Sequence, residues 1–158
     1  MSSSEMTDFN PKDPDFAVRV RASFARQCVM QTIGAEMTRV EPGLVEIELP
    51  FRGDLTQQHG YLHAGIWTTI ADSAGGYAAF SLMPADSSML AVEFKGNLLS
   101  PARGQRFRAR GCVSKPGRRL TVTEIEVEAI DGNEVRTCLM GIQTVICLPG
   151  ESDAPDVY

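Results

Sequence analysis

Positive charge is in short supply. The chain has 15 Lys and Arg against 20 Asp and Glu, a formal net charge of −5. No general attraction to nucleic acid is expected from such a balance. The four cysteines, Cys28, Cys112, Cys138 and Cys147, include no close pair of the kind that binds zinc and lack the density of a disulfide-stapled scaffold. Free thiols in a reducing, cytoplasmic setting are expected instead. The start of the chain, Met1 to Asp15, is rich in Ser and Asp and has no apolar stretch, so a secretory leader is not expected there. A membrane span is not expected either. The one candidate stretch, Ile66–Met83, contains Asp72, the adjacent glycines Gly75 and Gly76 and many small residues, with no basic flank. No internal repeat is visible.

What is present fits one folded domain. A length of 158 residues, with 43% apolar and 22% charged, is ordinary for a globule able to close its own core. Residues 1–14 are expected to be a flexible lead-in limited by Pro11 and Pro14, and 149–158 a disordered acidic tail, leaving a domain over 15–148. Phe16, Val20, Phe24 and Cys28 recur every fourth residue, predicting an amphipathic helix from Asp15 to about Gln31. A hairpin follows, Ile33–Val40 and Leu44–Leu49 about a turn at Glu41-Pro42-Gly43. The stretch from Pro50 to His59 reads as loop. A long helix from about His63 to Met83 precedes strands Met89–Leu98, Gly104–Ser114, Leu120–Ile130 and Glu134–Cys147.

Two of these strands carry facing charges. Arg106, Arg108 and Arg110 share one face, as do Glu124, Glu126 and Glu128. Opposite charges facing each other across an antiparallel pair are mildly stabilising. That arrangement requires even positions to oppose even ones, for example Arg108 opposite Glu126. A plain two-residue turn at Pro116-Gly117 has the wrong parity, so a three-residue loop or a bulge is predicted. Phe107, Ala109, Thr123, Ile125 and Val127 then face inward, where one long helix must cover them. The class is α+β, an antiparallel sheet wrapped around a central helix.

Asp72 is the only charge between Ile66 and Met83. A lone carboxylate in apolar surroundings is costly unless paired, protonated or used. The segment around it, Gln57-Gln58-His59-Gly60-Tyr61-Leu62-His63-Ala64-Gly65 through Asp72, resembles the signature of hotdog-fold acyl-CoA thioesterases, most closely the PaaI-like branch. Val92–Ala102 is similar to that family's next strand, and Lys115-Pro116-Gly117-Arg118-Arg119-Leu120 to its later hairpin. The resemblance covers about Phe16 to Leu148. It implies that Asp72 is a general base or nucleophile at the thioester carbonyl. It further implies that the backbone N–H of Ala64 polarises that carbonyl and that Gln57 positions the thioester or the attacking water. It extends substrate contact to His63, which in the family fixes the loop before the helix, and to Gly65 and Ser73. Lys115, Arg118 and Arg119 are placed to hold the CoA phosphates, an ordinary charged hairpin being the plain alternative. Trp67 and Tyr77 read as core or interface residues, with a place in the acyl pocket as the alternative for either, and His59 as an exposed or loop-packing residue. No metal and no cofactor are implied.

The chemistry agrees with this reading. Thioester hydrolysis builds negative charge on the carbonyl oxygen, and an unpaired amide at a helix N-terminus is a ready donor for it. Yet residues 64 and 72 of one helix lie about 12 Å apart along its axis. Two helices packed antiparallel across a twofold axis would bring Ala64 of one chain near Asp72 of the other. A homodimer with two shared sites is therefore expected, with a dimer of dimers, a homotetramer, left open. Two departures stand out. The family's commoner His-Gly-Gly is His-Ala-Gly here, and the places of a Ser or Thr that assists the acid are Gly76 and Ala91, with Ser73 or Thr68 as possible substitutes. A hotdog dehydratase or hydratase is disfavoured, because both His-x-Phe-Pro-Gly and Asp-x4-His patterns are missing. A non-catalytic acyl-CoA binder would keep the dimer without depending on Asp72.

Overall fold

Apolar side chains at every fourth position make α1 (Phe16–Ala25), with Val20 fully buried. The computed structural model describes residues 9–154. The expected continuation of this helix to Gln31 does not occur. Gln27 is extended (φ −74°, ψ 96°) and a separate short helix, α2 (Cys28–Ile33), follows it. The break has a packing reason: it turns Met30 and Ile33 into the core and leaves Cys28, which the fourfold spacing would place inside, exposed.

The hairpin strands are β1 (Glu36–Glu41) and β2 (Leu44–Pro50). After a loop with one 3-10 turn at Gly53–Leu55 comes the long helix α3 (Ala64–Phe80). The strands β3 (Ser87–Leu98), β4 (Arg106–Lys115), β5 (Leu120–Asp131) and β6 (Glu134–Pro149) complete the chain. All pair antiparallel in the order β1-β2-β4-β5-β6-β3. The sheet curls around α3, which packs chiefly on β4, β2 and β5. This is the hotdog arrangement that the resemblance implies. No helix of the described residues is long and apolar enough to cross a membrane.

The facing charges have the expected parity, but the pairs shift by one step. Arg108 lies opposite Glu128 rather than Glu126, and Arg110 lies opposite Glu126. Arg108 Nη2 reaches Glu128 Oε2 at 2.6 Å. A bulge between Val113 and Lys115 sets this register. The arginines also face β2, where Arg106 approaches Glu48 at 3.3 Å. On the inner side Phe107, Ala109, Thr123, Ile125 and Val127 are all buried against the helix.

Two glycines let the helix approach this closely. A Cβ at Gly111 of β4 would lie 2.3 Å from the Ala74 carbonyl carbon, and one at Gly75 of α3 would lie 2.6 Å from Ile125 Cγ2. Glycine inside a helix or strand costs roughly 0.5–1 kcal/mol relative to alanine. Close backbone contact is what offsets that cost here.

Contacts continue on the outer side of the expected boundaries at residues 15 and 148. Phe9 packs against the core, and buried Asp13 forms an ion pair with Arg19 at 2.9 Å. At the other end β6 runs to Pro149, and Asp153 pairs with Arg26. Residues 9–14 and 149–154 thus touch the domain through a ring and two ion pairs that composition does not reveal. The remainder of the expected lead-in and tail lies outside the described residues.

Candidate active site

The N-terminus of α3 is built by the loop before it. His63 is the N-cap, in extended conformation, and its Nδ1 accepts the Gly65 N–H at 2.9 Å. This requires the tautomer with its proton on Nε2. The His63 carbonyl accepts from Ile66 and Trp67. The Gly65 amide is thus used within the chain, whereas among the described residues no acceptor meets the N–H of Ala64. An orphan N–H at the positive end of a helix suits a developing oxyanion.

Beside that amide lies a pocket of about 420 Å³ lined by Gln57, Tyr61, Ala64, Trp67, Leu98 and Leu99, among others. Gln57 sits in a tight turn in which its N–H donates to the Tyr61 carbonyl at 2.9 Å and its Oε1 accepts from the His59 N–H. Trp67 is only 3% exposed and forms one wall. Tyr77 is core instead, packed edge-on to Phe24 and Phe80 with its hydroxyl 3.1 Å from Ser23. His59 is exposed.

Asp72 is not in this pocket. It lies two turns further along α3, on the face shared by Ala64 and Thr68; all three are half-buried, and Asp72 is the one residue from Ile70 to Phe80 that is not buried. Burial pushes its carboxyl above the ordinary carboxylate range. One oxygen, Oδ1, accepts from Gln143 Nε2 at 2.6 Å. Thr68 hydrogen-bonds back to the Ala64 carbonyl at 2.8 Å. Ser73 points away: its hydroxyl donates to Gln27 Oε1 at 3.0 Å. Within one chain, then, Gln57, Ala64, His63 and Gly65 come together, while Asp72 stands apart and Ser73 is engaged elsewhere.

Lys115, Arg118 and Arg119 are exposed on the β4–β5 hairpin. That hairpin sits at the far end of α3, where Pro116, Gly117 and Arg118 flank a small cavity with Leu82 and Met83. Among the described residues no three His, Cys, Asp or Glu side chains converge as a metal site requires.

Gln143 is the residue that the sequence reading missed. It is fully buried on the inner face of β6. The signal was available, since an amide at an inward position of an alternating strand is as out of place as a carboxylate on a buried helix.

Known proteins resemble this one in both sequence and shape. A family model for the thioesterase superfamily matches residues 59–136. The crystal structure of a thioesterase family protein from Silicibacter pomeroyi is 50% identical, superposes with a TM-score of 0.84, and covers 85% of this chain and 99% of its own. A proofreading thioesterase, EntH, of Klebsiella pneumoniae is 27% identical over 109 residues, 69% of this chain and 80% of that protein. A 1,4-dihydroxy-2-naphthoyl-CoA hydrolase of Listeria monocytogenes is 26% identical over 111 residues, 70% of this chain and 89% of that protein. With half of the aligned residues identical across nearly the whole length of the Silicibacter thioesterase family protein, this hotdog chain belongs to the thioesterase superfamily.

Proposed function

We propose that the protein hydrolyses acyl-CoA thioesters at sites shared between two copies of the chain. The observation that carries this is the open face of α3. It presents an unpartnered Ala64 amide and a half-buried Asp72 carboxylate about 12 Å apart along the axis. One carbonyl group cannot meet both in a single chain. An antiparallel partner helix supplies the missing half of each site.

In this reading Asp72 takes a proton from water as the oxygen attacks the carbonyl carbon. The partner's Ala64 amide stabilises the charge that forms on the carbonyl oxygen. The intermediate collapses by breaking the C–S bond, and the proton on Asp72 passes to the departing CoA thiolate. The products are free acid and CoA. Burial suits Asp72 to the role, because a raised proton affinity makes a better base. Gln57, its oxygen occupied by His59, keeps its amide nitrogen to orient the thioester or the water. The Listeria relative named as a CoA-thioester hydrolase supports CoA as the leaving group.

The edge of the sheet supports the dimer. Among the described residues β3 pairs only with β6 and exposes Leu90, Val92, Phe94 and Leu98 by 60%, 57%, 46% and 58%. A bare apolar edge is an association surface in waiting. Antiparallel pairing there would bring the partner's Ala64 end toward the hairpin of Lys115, Arg118 and Arg119, which suits them to the CoA phosphates. Met140 and Ile142, exposed on the outer face of the sheet, offer a second patch for a dimer of dimers. Four free thiols suit a cytoplasmic setting.

The test is complementation between two inactive variants. Asp72→Asn and Ala64→Pro should each lower hydrolysis of an acyl-CoA panel at least about a hundredfold. Mixed and reannealed, they should regain about a quarter of wild-type activity, because half of the dimers are mixed and each contains one intact site. No recovery would place both groups in one chain. A wild type that binds acyl-CoA without hydrolysing it would make the protein a carrier instead.

A further inference from the structure

We infer that Gln143 is a positioning residue: it clamps one carboxylate oxygen of Asp72 so that only the other is offered to the reaction. What this says about catalysis rests on the thioester-hydrolysis reading above; the clamp itself rests on geometry. Gln143 Nε2 lies 2.6 Å from Asp72 Oδ1 and 3.2 Å from the Asp72 backbone oxygen. A backbone carbonyl only accepts, so the amide nitrogen, not its oxygen, must face the helix. From the other side the Thr123 hydroxyl donates to Gln143 Oε1 at 3.4 Å. The amide is thus oriented from both ends, and both of its donors are directed at Asp72.

The fold makes room for this contact. A Cβ at Gly75 would lie 2.1 Å from Gln143 Oε1 and 2.9 Å from Thr123 Oγ1. Three elements therefore converge on one carboxylate: β6 with the donor, β5 with its anchor, and α3 with the glycine beside them. Packing alone does not call for an amide. Position 143 is fully buried, and an apolar side chain of similar size would avoid the desolvation an amide incurs.

Gln143 also stands alone electrostatically. The charged residues that share the inward register, Asp131, Glu134 and Arg136, are exposed around the β5–β6 turn, where Arg136 lies opposite Ala129. Buried titratable groups are the thiols Cys138 and Cys147 of β6, the Tyr77 phenol of α3 and the Asp13 carboxyl before α1. From α1 comes Arg19, which sits at the C-terminal end of α3 and is paired with Asp13. Burial disfavours the Asp72 charge, and a short N–H donor to the ionised form opposes burial. Removing the donor should therefore raise the pH at which Asp72 ionises and free its carboxylate to rotate.

The experiment compares the wild type with Gln143→Leu, and with Gln143→Met should the first variant fail to fold. The Asp72 carboxyl, followed by carbon NMR and assigned with Asp72→Asn, should titrate about one to two pH units higher in the variant. On an acyl-CoA panel kcat should fall about tenfold to a hundredfold with KM changed by less than about threefold, and the acid limb of the kcat profile should move up with the titration. An unchanged Asp72 titration in the folded variants overturns the clamp, whether or not the protein hydrolyses thioesters. A wild type inactive on the whole panel, or an Asp72→Asn that keeps its rate, sinks the hydrolysis reading instead. The titration still decides the clamp in that case.

Discussion

The two ends of α3 are finished in opposite ways. At the C-terminal end the carbonyls are gathered by one side chain. Arg19 donates to the Pro84 oxygen at 2.7 Å, the Met83 oxygen at 2.8 Å and the Phe80 oxygen at 3.2 Å, with its guanidinium 4.1 Å over the Phe80 ring. A cation at the negative end of a helix is favourable, and buried carbonyls are costly to leave unpaired. At the N-terminal end the cap covers Gly65 and stops, so the Ala64 amide is left over beside a pocket. Where every backbone group is satisfied, the helix end serves stability. Where one is withheld, it is available for chemistry.

Ala64→Pro is the sharpest way to break this contrast, and it should have the largest effect. Proline is well tolerated at the first helical position, and the preceding His63 already has the extended backbone that proline demands (φ −64°, ψ 136°). Only the N–H is lost. Hydrolysis should fall about 10²–10³-fold in kcat, the usual effect of losing one oxyanion donor, while thermal unfolding barely moves. A folded variant with full activity would remove the amide from the mechanism.

Arg19→Ala probes the opposite end and should do the reverse. It strands several carbonyls and the Asp13 carboxylate, an expected loss of about 2–3 kcal/mol. Calorimetry should register this as a lowered Tm, with activity per folded molecule unchanged. His63→Ala comes next: loss of the cap should cost about 1 kcal/mol, and a free Gly65 amide beside Ala64 should make the rate effect exceed the stability effect.

The smallest effect concerns Asp72 and pH. Its carboxyl is raised in the fold by burial, so the folded state binds a proton more readily than the unfolded chain. That contribution favours the fold below the unfolded pKa and is lost as pH rises through the folded one. Asp72→Asn should therefore unfold at a higher temperature than wild type at neutral pH, and the advantage should shrink as pH falls toward 4. An advantage that grows on acidification would mean the carboxyl is not raised.

Much of this was legible in the chain itself. Alternation in β2, β4 and β5 exposed the inner face that a helix must cover, and the even parity of the Arg and Glu stripes predicted a three-residue loop or a bulge, of which the structure has a bulge between Val113 and Lys115. Asp72 stood out because charge is rare on a buried helix. Gln143 was missed although the same reasoning applies to it, because a neutral amide in a strand of Thr, Cys and Gly draws less notice. The break at Gln27 was not legible: the fourfold spacing runs through it, and only the position of the core decides that Met30 should turn inward instead of Cys28.

Local rules therefore determined the elements, their faces and the stranded acid, since side-chain period and backbone chemistry act over a few residues. They also determined that Ala64 and Asp72 are too far apart on one helix to share a carbonyl. Tertiary structure decided which strand meets which and that Arg108 opposes Glu128. It also decided that Gln143 reaches across Gly75 to hold Asp72, and that one helix end is sealed while the other stays open. Those outcomes depend on contacts between residues tens of positions apart, and no window on the sequence contains both partners.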